Sequence, residues 1–538
     1  MPEACFHFDL VIKGGKVLDG TGSPWRYMDI GVKDGRIAAL VRASPGQPSL
    51  LDGVPARDGT LDATGLMAAP GFIDMHSHSD LTLITNPTSD GKVLQGVTTE
   101  VIGQCGFSAA PLTERTAVAL KATLGETADI DAKWRSFGEF ADRVQSQGAS
   151  ANTVGLVGHG TVRTIVMGFK AALSTEEELE AMKALVEGAM QDGAFGFSSG
   201  LIYTPGSYSD TREVLELARV AARYHGIYFT HMRSESGGLL KAVSEAVDIG
   251  RGAGIPVQIS HMKCAGAAQG LAKEYLAAVE TARECGIDVT GDQYPYTAGA
   301  TGLAALLPPW AHEGGGERMV ERLLDPATRV RLKSDMQRSL PGWDNDFQNI
   351  GFDKILVAAS KDESIVGHSL QEIADERGGD PYETLFDILG KTDPGSGMVI
   401  FLMTDEDVKE IMRHETVMIG SDAAAGKVER GRAGHPRAFG TFPRVLGPFV
   451  RNGTLTLPQA VFKMTGLPAA KLGLQDRGLL REGFAADLVL FDPNAISDRA
   501  TYQKAEYPVG ISHVLVNGCF VVKDGVHTGA KPGRFLRR

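Results

Sequence analysis

The residues best suited to chemistry in this chain recur at one kind of place. The apolar segment APGFIDMH (69–76) runs into His76, Ser77 and His78, and VTTEVIGQ (97–104) runs into Cys105. GIYFTHM (226–232) carries His231, PVQISHM (256–262) carries His261, and TVMIGSD (416–422) ends at Asp422. Each segment reads as a short strand with its ligand-type residue at or just past the C-terminal end. His76 and His78 are two residues apart, so they share one face of a strand. Imidazoles, a thiolate and a carboxylate together suit a divalent ion, Zn²⁺ above all, which lowers the pKa of a bound water and polarises a carbonyl. Taken singly, each residue has an ordinary structural reading: Cys105 as a small buried hydrophobe, Asp422 as a helix cap before AAAG. Recurrence at five strand ends favours a metal site built from His76, His78, Cys105, His231, His261 and Asp422. His159, at the end of NTVGLVGH (152–159), fits either a supporting or a purely structural role. His225, His414 and His527 read as exposed, and Cys264 and Cys285 as structural.

These strand ends need a scaffold that gathers them. Three further strands are expected at 152–159, GAFGFSSG (193–200) and DVTGDQYP (288–295). Helical patterns such as TEEELEAMKALVEGAMQDG (175–193) and LLKAVSEAVDIGRGAG (239–254) alternate with them, and both end in Gly. Eight strands alternating with helices predict an α/β fold, a (β/α)8 TIM-like barrel over 69–475, whose strand ends converge at one mouth. More than 110 residues separate strands seven and eight, including LLPPWAHEGGGER (306–318). An insertion at about 300–375 is therefore expected as a lid or mouth subdomain. Residues 8–42 and 483–528 read as hairpins split at Gly-Gly, Asp-Gly, Lys-Asp-Gly and Asn-Gly. Neither end has enough strands for its own core, so 1–68 and 476–538 are expected to build one composite β-domain.

Composition narrows the class. The chain has 538 residues, 43% hydrophobic and 22% charged, with 66 glycines and a net charge of −12. That is globular, and an acidic chain has no electrostatic reason to bind nucleic acid or anionic lipid. Five scattered cysteines suggest no disulfide framework and a reducing compartment. Met1–Leu10 is too polar for a signal-peptide core, and no run approaches a membrane span. The expectation is a cytoplasmic protein acting on a small molecule, in an oligomeric state that the sequence leaves open.

The segments PGFIDMHSHSD (70–80), GVTTEVIGQCG (96–106), SSGLIYTPG (198–206), FTHMRSE (229–235), ISHMK (259–263), QYPYTAG (293–299), IGSD (419–422) and HPRAFGTFPRVLG (435–447) resemble the amidohydrolase superfamily. More closely, they are similar to its N-acyl-D-amino-acid deacylase (D-aminoacylase) family. The resemblance implies zinc-dependent hydrolysis of the amide of an N-acyl-D-amino acid. It also implies that Cys105, His231 and His261 hold a tightly bound zinc, with His76, His78 and Asp422 at a weaker or optional second position. Many superfamily members bridge their metals with a carboxylated lysine on strand four; here that strand reads FGFSSG, and the cysteine takes the lysine's place. One departure is Ala300, where the family often carries a hydroxyl; Thr297 and Thr301 flank it.

The chemistry assigns further roles. Asp422 is the only carboxylate among the five strand ends, so it is expected to take a proton from water and return it to the leaving nitrogen. Tyr203, in the loop after strand four, is expected to donate to the developing oxyanion; its ordinary reading is an aromatic lid residue. Lys263, Tyr294 and Arg437 are expected to clamp the substrate carboxylate, with Arg233, Arg432 and Arg444 as substitutes for the arginine. Two other readings keep the same residues: another metal-dependent amidohydrolase (a cyclic amidase, an N-substituted formamide deformylase or a peptidase-like enzyme), and a non-catalytic barrel scaffold.

Overall fold

Eight short segments whose every residue is buried run parallel and close into a barrel. They are β1 (Phe72–Asp74), β2 (Val97–Ile102), β3 (Asn152–Gly155, continued by Val157–Gly158), β4 (Gly196–Gly200), β5 (Ile227–His231), β6 (Val257–Ile259), β7 (Val289–Gln293) and β8 (Val417–Ile419). Neighbours pair in parallel from β1 through β8. The ring closes where Met75 N donates to Ile419 O at 3.2 Å and Asp422 N to His76 O at 2.8 Å. Burial on both faces is what a parallel sheet wrapped in helices requires. The computed structural model describes residues 7–44, 46–114, 116, 132–338, 340, 342–345, 348, 350–428 and 434–538.

Ile73, Val101, Val154, Phe229 and Met418 form one cluster. They come from β1, β2, β3, β5 and β8, which can meet only across the inside of the ring. This plug fills the barrel below the strand ends, and helix Gly466–Leu472 packs against it through Ala469 and Leu472. The surrounding helices start and stop on local signals. Thr175 caps Glu176–Gln191 with a capping box, and Asp210 caps Thr211–Arg223. Leu239–Ala253 ends at Gly254, whose φ of 64° is left-handed.

Both chain ends contribute to one nine-stranded sheet. Strand Met67–Pro70 pairs antiparallel with Leu488–Phe491 near the other end of the chain. The Asp34-Gly35, Asn517-Gly518 and Asp524-Gly525 corners all have positive φ, as tight hairpins need. Gly14-Gly15 departs from the expected turn: it lies inside strand Leu10–Val17, as a bulge opposite Arg26–Lys33. Between β7 and β8, strands Ala298–Gly302, Ile355–Ala359 and Gly397–Phe401 form a separate antiparallel sheet. Its core is continuous with Tyr294 and Tyr296 at the end of β7, so the inserted unit is anchored at the barrel mouth. Among the described residues, no helix is long and apolar enough to cross a membrane.

A fully buried ion cluster ties together the ends of β1, β2 and β8. Lys92 Nζ donates to Asp74 Oδ2, Ser421 Oγ and Ala423 O, each at 2.7 Å. Glu100 Oε2 lies 3.8 Å from the same ammonium and accepts from Ser77 Oγ at 2.8 Å. Asp74 also accepts from Ser421 N at 2.8 Å. These bonds hold the two turns that deliver His76, His78 and Asp422. Removing only the lysine leaves two buried carboxylates uncompensated, which costs about 3–5 kcal/mol. Lys92→Met should lower the denaturation midpoint by an equivalent amount, whereas a loss under about 1 kcal/mol would show that the cluster is not a structural pin.

Candidate metal centre and substrate cavity

Cys105, His261 and Asp422 follow β2, β6 and β8, and all three have left-handed backbones, with φ of 54°, 36° and 50°. A non-glycine residue there costs about 1–2 kcal/mol, so three at one mouth indicate backbone bent to aim side chains. The Cys105 turn rests on β4. Gly106 N donates to Ser198 Oγ at 3.1 Å, and Ser198 Oγ donates in turn to Gly103 O. A Cβ on Gly200 would lie 2.1 Å from Cys105 O. The small residues of FGFSSG are therefore what let the cysteine turn cross the end of strand four, where a lysine would have no room.

The side chains converge as expected from their spacing. Cys105 Sγ lies 3.3 Å from His76 Nε2 and 3.4 Å from His261 Nε2. His76, Cys105, His261 and Asp422 present ligand atoms within 4.8 Å of one another, and so do His231, Glu235 and His261. His78 Nε2 joins through Asp422 Oδ1 at 3.0 Å. The His231 and His261 rings are 4.4 Å apart. The structure thus gathers all six residues at one mouth: the sulfur touches both His76 and His261, and His231 shares its cluster with Glu235 and His261.

Electrostatics fits a cation at this point. Burial pushes the Cys105 thiol up, but His76 and His261 hold it well below the ordinary thiol range. Burial likewise opposes charge on His76 and His78, yet the sulfur, then Asp292 and then Asp422 lift His76 well above the usual value, and Asp422 and the sulfur lift His78 to about 9. The sulfur and carboxylate therefore draw in positive charge of the kind a divalent ion supplies. His231 is pushed down by burial and is neutral, and its Nδ1 and Nε2 are buried without a hydrogen-bond partner. An imidazole with both nitrogens unspent fits a metal ligand, which must be deprotonated to bind.

The residues expected to bind substrate line a cavity of about 480 Å³ above the cluster, together with walls from the inserted unit. The Tyr203 ring stands edge-on to His231 at 4.8 Å. Burial and then the Cys105 charge push its hydroxyl well up, so it stays a proton donor. Lys263 Nζ is 2.7 Å from Glu235 Oε1 and 2.6 Å from His261 Nδ1. Arg437 Nη1 is 2.6 Å from Asp422 Oδ2, and its Nη2 donates to Ala300 O at 3.0 Å. Tyr294 lies under that guanidinium at 4.8 Å, and its buried hydroxyl has no hydrogen-bond partner. Arg233 pairs with Glu245 at 3.0 Å and Arg444 with Asp498 at 2.9 Å, so both are committed elsewhere. Arg432 lies outside the described residues.

His159 is held by Glu213 at 2.7 Å and belongs to neither ligand cluster. His225 is exposed, but His414 and His527 are half-buried, His527 Nε2 being 3.0 Å from Thr88 O. Cys264 is buried, whereas Cys285 is exposed.

Two carboxylates escaped the sequence reading. Asp292, inside β7, lies 3.1 Å from His76 Nδ1 and accepts from His261 N at 2.8 Å, so it orients one imidazole and one turn. Glu235 Oε1 is 3.0 Å from His261 Nδ1. Carboxylates on the far nitrogen of a ligating histidine fix its tautomer and raise its basicity. The available signal was an acid within an otherwise buried strand, which must have a partner.

A model of the amidohydrolase family matches residues 59–522. The chain belongs to that family. The curated D-aminoacylase of Alcaligenes xylosoxydans xylosoxydans is 36% identical over 534 residues, covering 99% of this amidohydrolase and 98% of the relative. A solved D-aminoacylase, described by a binuclear metal center with one-metal activation and second-metal attenuation, superimposes with a TM-score of 0.81 at 35% identity, covering 99% of this chain and 100% of that one. N-acyl-D-glutamate deacylase from Bordetella bronchiseptica, solved with zinc and a phosphonate mimic of the tetrahedral intermediate, also superimposes with a TM-score of 0.81, at 36% identity and the same coverage. This amidohydrolase is metal-dependent.

If Cys105, His231 and His261 carry the tight position, the Ala variant of each should lose most bound metal when purified and measured by elemental analysis. Stoichiometric metal in all three would overturn that grouping in favour of the cluster around His76 and Asp422.

Proposed function

We propose that this amidohydrolase hydrolyses N-acyl-D-amino acids to a D-amino acid and a carboxylic acid, using zinc. The observation that carries the reading is a thiolate, imidazole and carboxylate cluster under a cavity that also presents Lys263, Arg437 and Tyr294, in a chain similar end to end to D-aminoacylase. Cys105, His231 and His261 would hold one zinc tightly, and His76, His78 and Asp422 a weaker or optional second. Bound there, zinc would supply an activated water and polarise the scissile carbonyl.

The chain's own groups supply the rest. The substrate carboxylate is drawn to Lys263, Arg437 and the unsatisfied hydroxyl of Tyr294, which places the amide over the cluster. The Tyr203 hydroxyl donates a hydrogen bond to the carbonyl oxygen as negative charge develops on it. Asp422 takes a proton on its carboxylate and passes it to the departing nitrogen. Arg437 touches Asp422 directly, so it lowers the basicity of that carboxylate: burial pushes Asp422 up, but Arg437 is the strongest influence holding it well below the usual range. A substrate carboxylate that attracts the guanidinium therefore also frees the base.

A panel of N-acetyl-D-amino acids, N-acetyl-L-amino acids and cyclic amides tests the reading. Turnover confined to the linear D substrates is expected; turnover of cyclic amides alone would replace it. Asp422→Asn should lower kcat at least about 100-fold, and near-normal kcat would place the base elsewhere. Arg437→Ala should lower kcat/KM for the acid by about 10- to 150-fold, the worth of a charge-assisted bond. A matched neutral amide should lose less, since it has no carboxylate for Arg437 to bind. Equal losses would show that Arg437 serves Asp422 alone.

A further inference from the structure

We infer that the substrate side chain is apolar and is received by the wall that the inserted unit adds to the barrel mouth; this rests on the deacylase reading above. The cavity is lined by Ile202, Leu306, Leu307, Trp343, Met398 and Ile400, all but Ile202 from the inserted unit. Leu306, Leu307, Met398 and Ile400 are buried members of one hydrophobic core, so the wall is a rigid apolar surface.

Charge in the described lining disfavours an acidic side chain. Among the described residues, the cavity is lined by two permanent cations, Lys263 and Arg437. Both are engaged, with Glu235 and Asp422, and both are claimed by the substrate's own carboxylate. His312 also lines the cavity, but burial lowers it to about 4, so it is neutral near pH 7. Asp344 adds negative charge at the rim, where it accepts from Ser234 Oγ at 2.7 Å and Glu235 N at 2.9 Å. A second carboxylate would be desolvated here with no partner and near carboxylates of like sign. The similar N-acyl-D-glutamate deacylase is named for a substrate whose side chain is acidic. Here the described lining offers such a side chain no free cation.

Gly302 offers a way to reverse the preference. It lines the cavity, is exposed, has an ordinary φ of −64°, and an added Cβ would meet nothing within 4 Å. An arginine there is expected to fold and to reach the cavity as a free cation.

The experiment compares kcat/KM of the metal-loaded enzyme for N-acetyl-D-leucine, N-acetyl-D-methionine, N-acetyl-D-glutamate and N-acetyl-D-aspartate, then repeats it with Gly302→Arg. The apolar substrates should exceed the acidic ones at least about 100-fold, because the acidic ones leave a buried charge unpaired. Gly302→Arg should raise the glutamate-to-leucine ratio about 10-fold or more. Acidic substrates turned over within threefold of leucine, or better, would overturn the inference while leaving the deacylase reading intact. An unchanged ratio in Gly302→Arg would also overturn it, by showing that the side chain lies elsewhere and that this wall serves the acyl group. No turnover of any N-acetyl-D-amino acid would instead refute the underlying reading.

Discussion

A sulfur anion packed against imidazoles inside a protein needs a fixed positive charge beside it. The Cys105 thiolate, with His76 and His261 within 3.4 Å, sets that requirement for this molecule. The rest of the barrel mouth follows from it. Three ligand-type residues adopt left-handed backbone so that their side chains can meet. Ser198 and Gly200 of strand four give up side-chain bulk so that the cysteine turn can cross above them. The Lys92 cluster, buried beside the same turns, stops β1 and β8 from relaxing the strain. A barrel filled with Ile73, Val101, Phe229 and Met418 makes that rigidity possible, because a close-packed plug transmits strain rather than absorbing it.

The inserted unit turns this centre into a binding site. Strand Ala298–Gly302 meets the machinery where Ala300 O accepts from Arg437 Nη2, and its Thr301 lines the cavity together with Tyr203. The same strand begins one wall of the cavity, so Arg437, proposed to read the substrate carboxylate, is registered against the inserted unit. Arg437 is the hinge of this arrangement. It starts helix Arg437–Arg444 and pairs with Asp422, so the proposed recognition of a carboxylate and the proposed base would share one guanidinium.

Much of this was legible in the chain because the ligand-type residues sit where buried apolar runs end. That is a one-dimensional signal, and β1 to β8 all fall inside the expected segments. What pairs with what was not legible. Arg437 was expected to face the substrate, and nothing in the sequence between them announces Asp422 as its neighbour. Glu235 follows His231 by four residues in a stretch without helical or strand period, so its contact with His261 depends on tertiary packing. Asp292 was hidden within a strand whose apolar neighbours were counted and whose acid was not. Gly14-Gly15 has the composition of a turn, but the strand runs through it as a bulge because Gly14 N finds Asp29 and the ladder resumes at Gly15. At Ala300 it is the backbone carbonyl that accepts from Arg437 Nη2, a contact no side-chain pattern encodes.

The Cys105 sulfur is proposed to ligate the metal, not to stand by in an imidazole cluster. Anomalous diffraction at the zinc edge from crystals of the zinc-loaded protein tests it most directly. A strong peak is expected about 2.3 Å from Cys105 Sγ and about 2.0–2.1 Å from nitrogens of His231 and His261. A strong peak coordinated by His76, His78 and Asp422, with Cys105 out of reach, would contradict it.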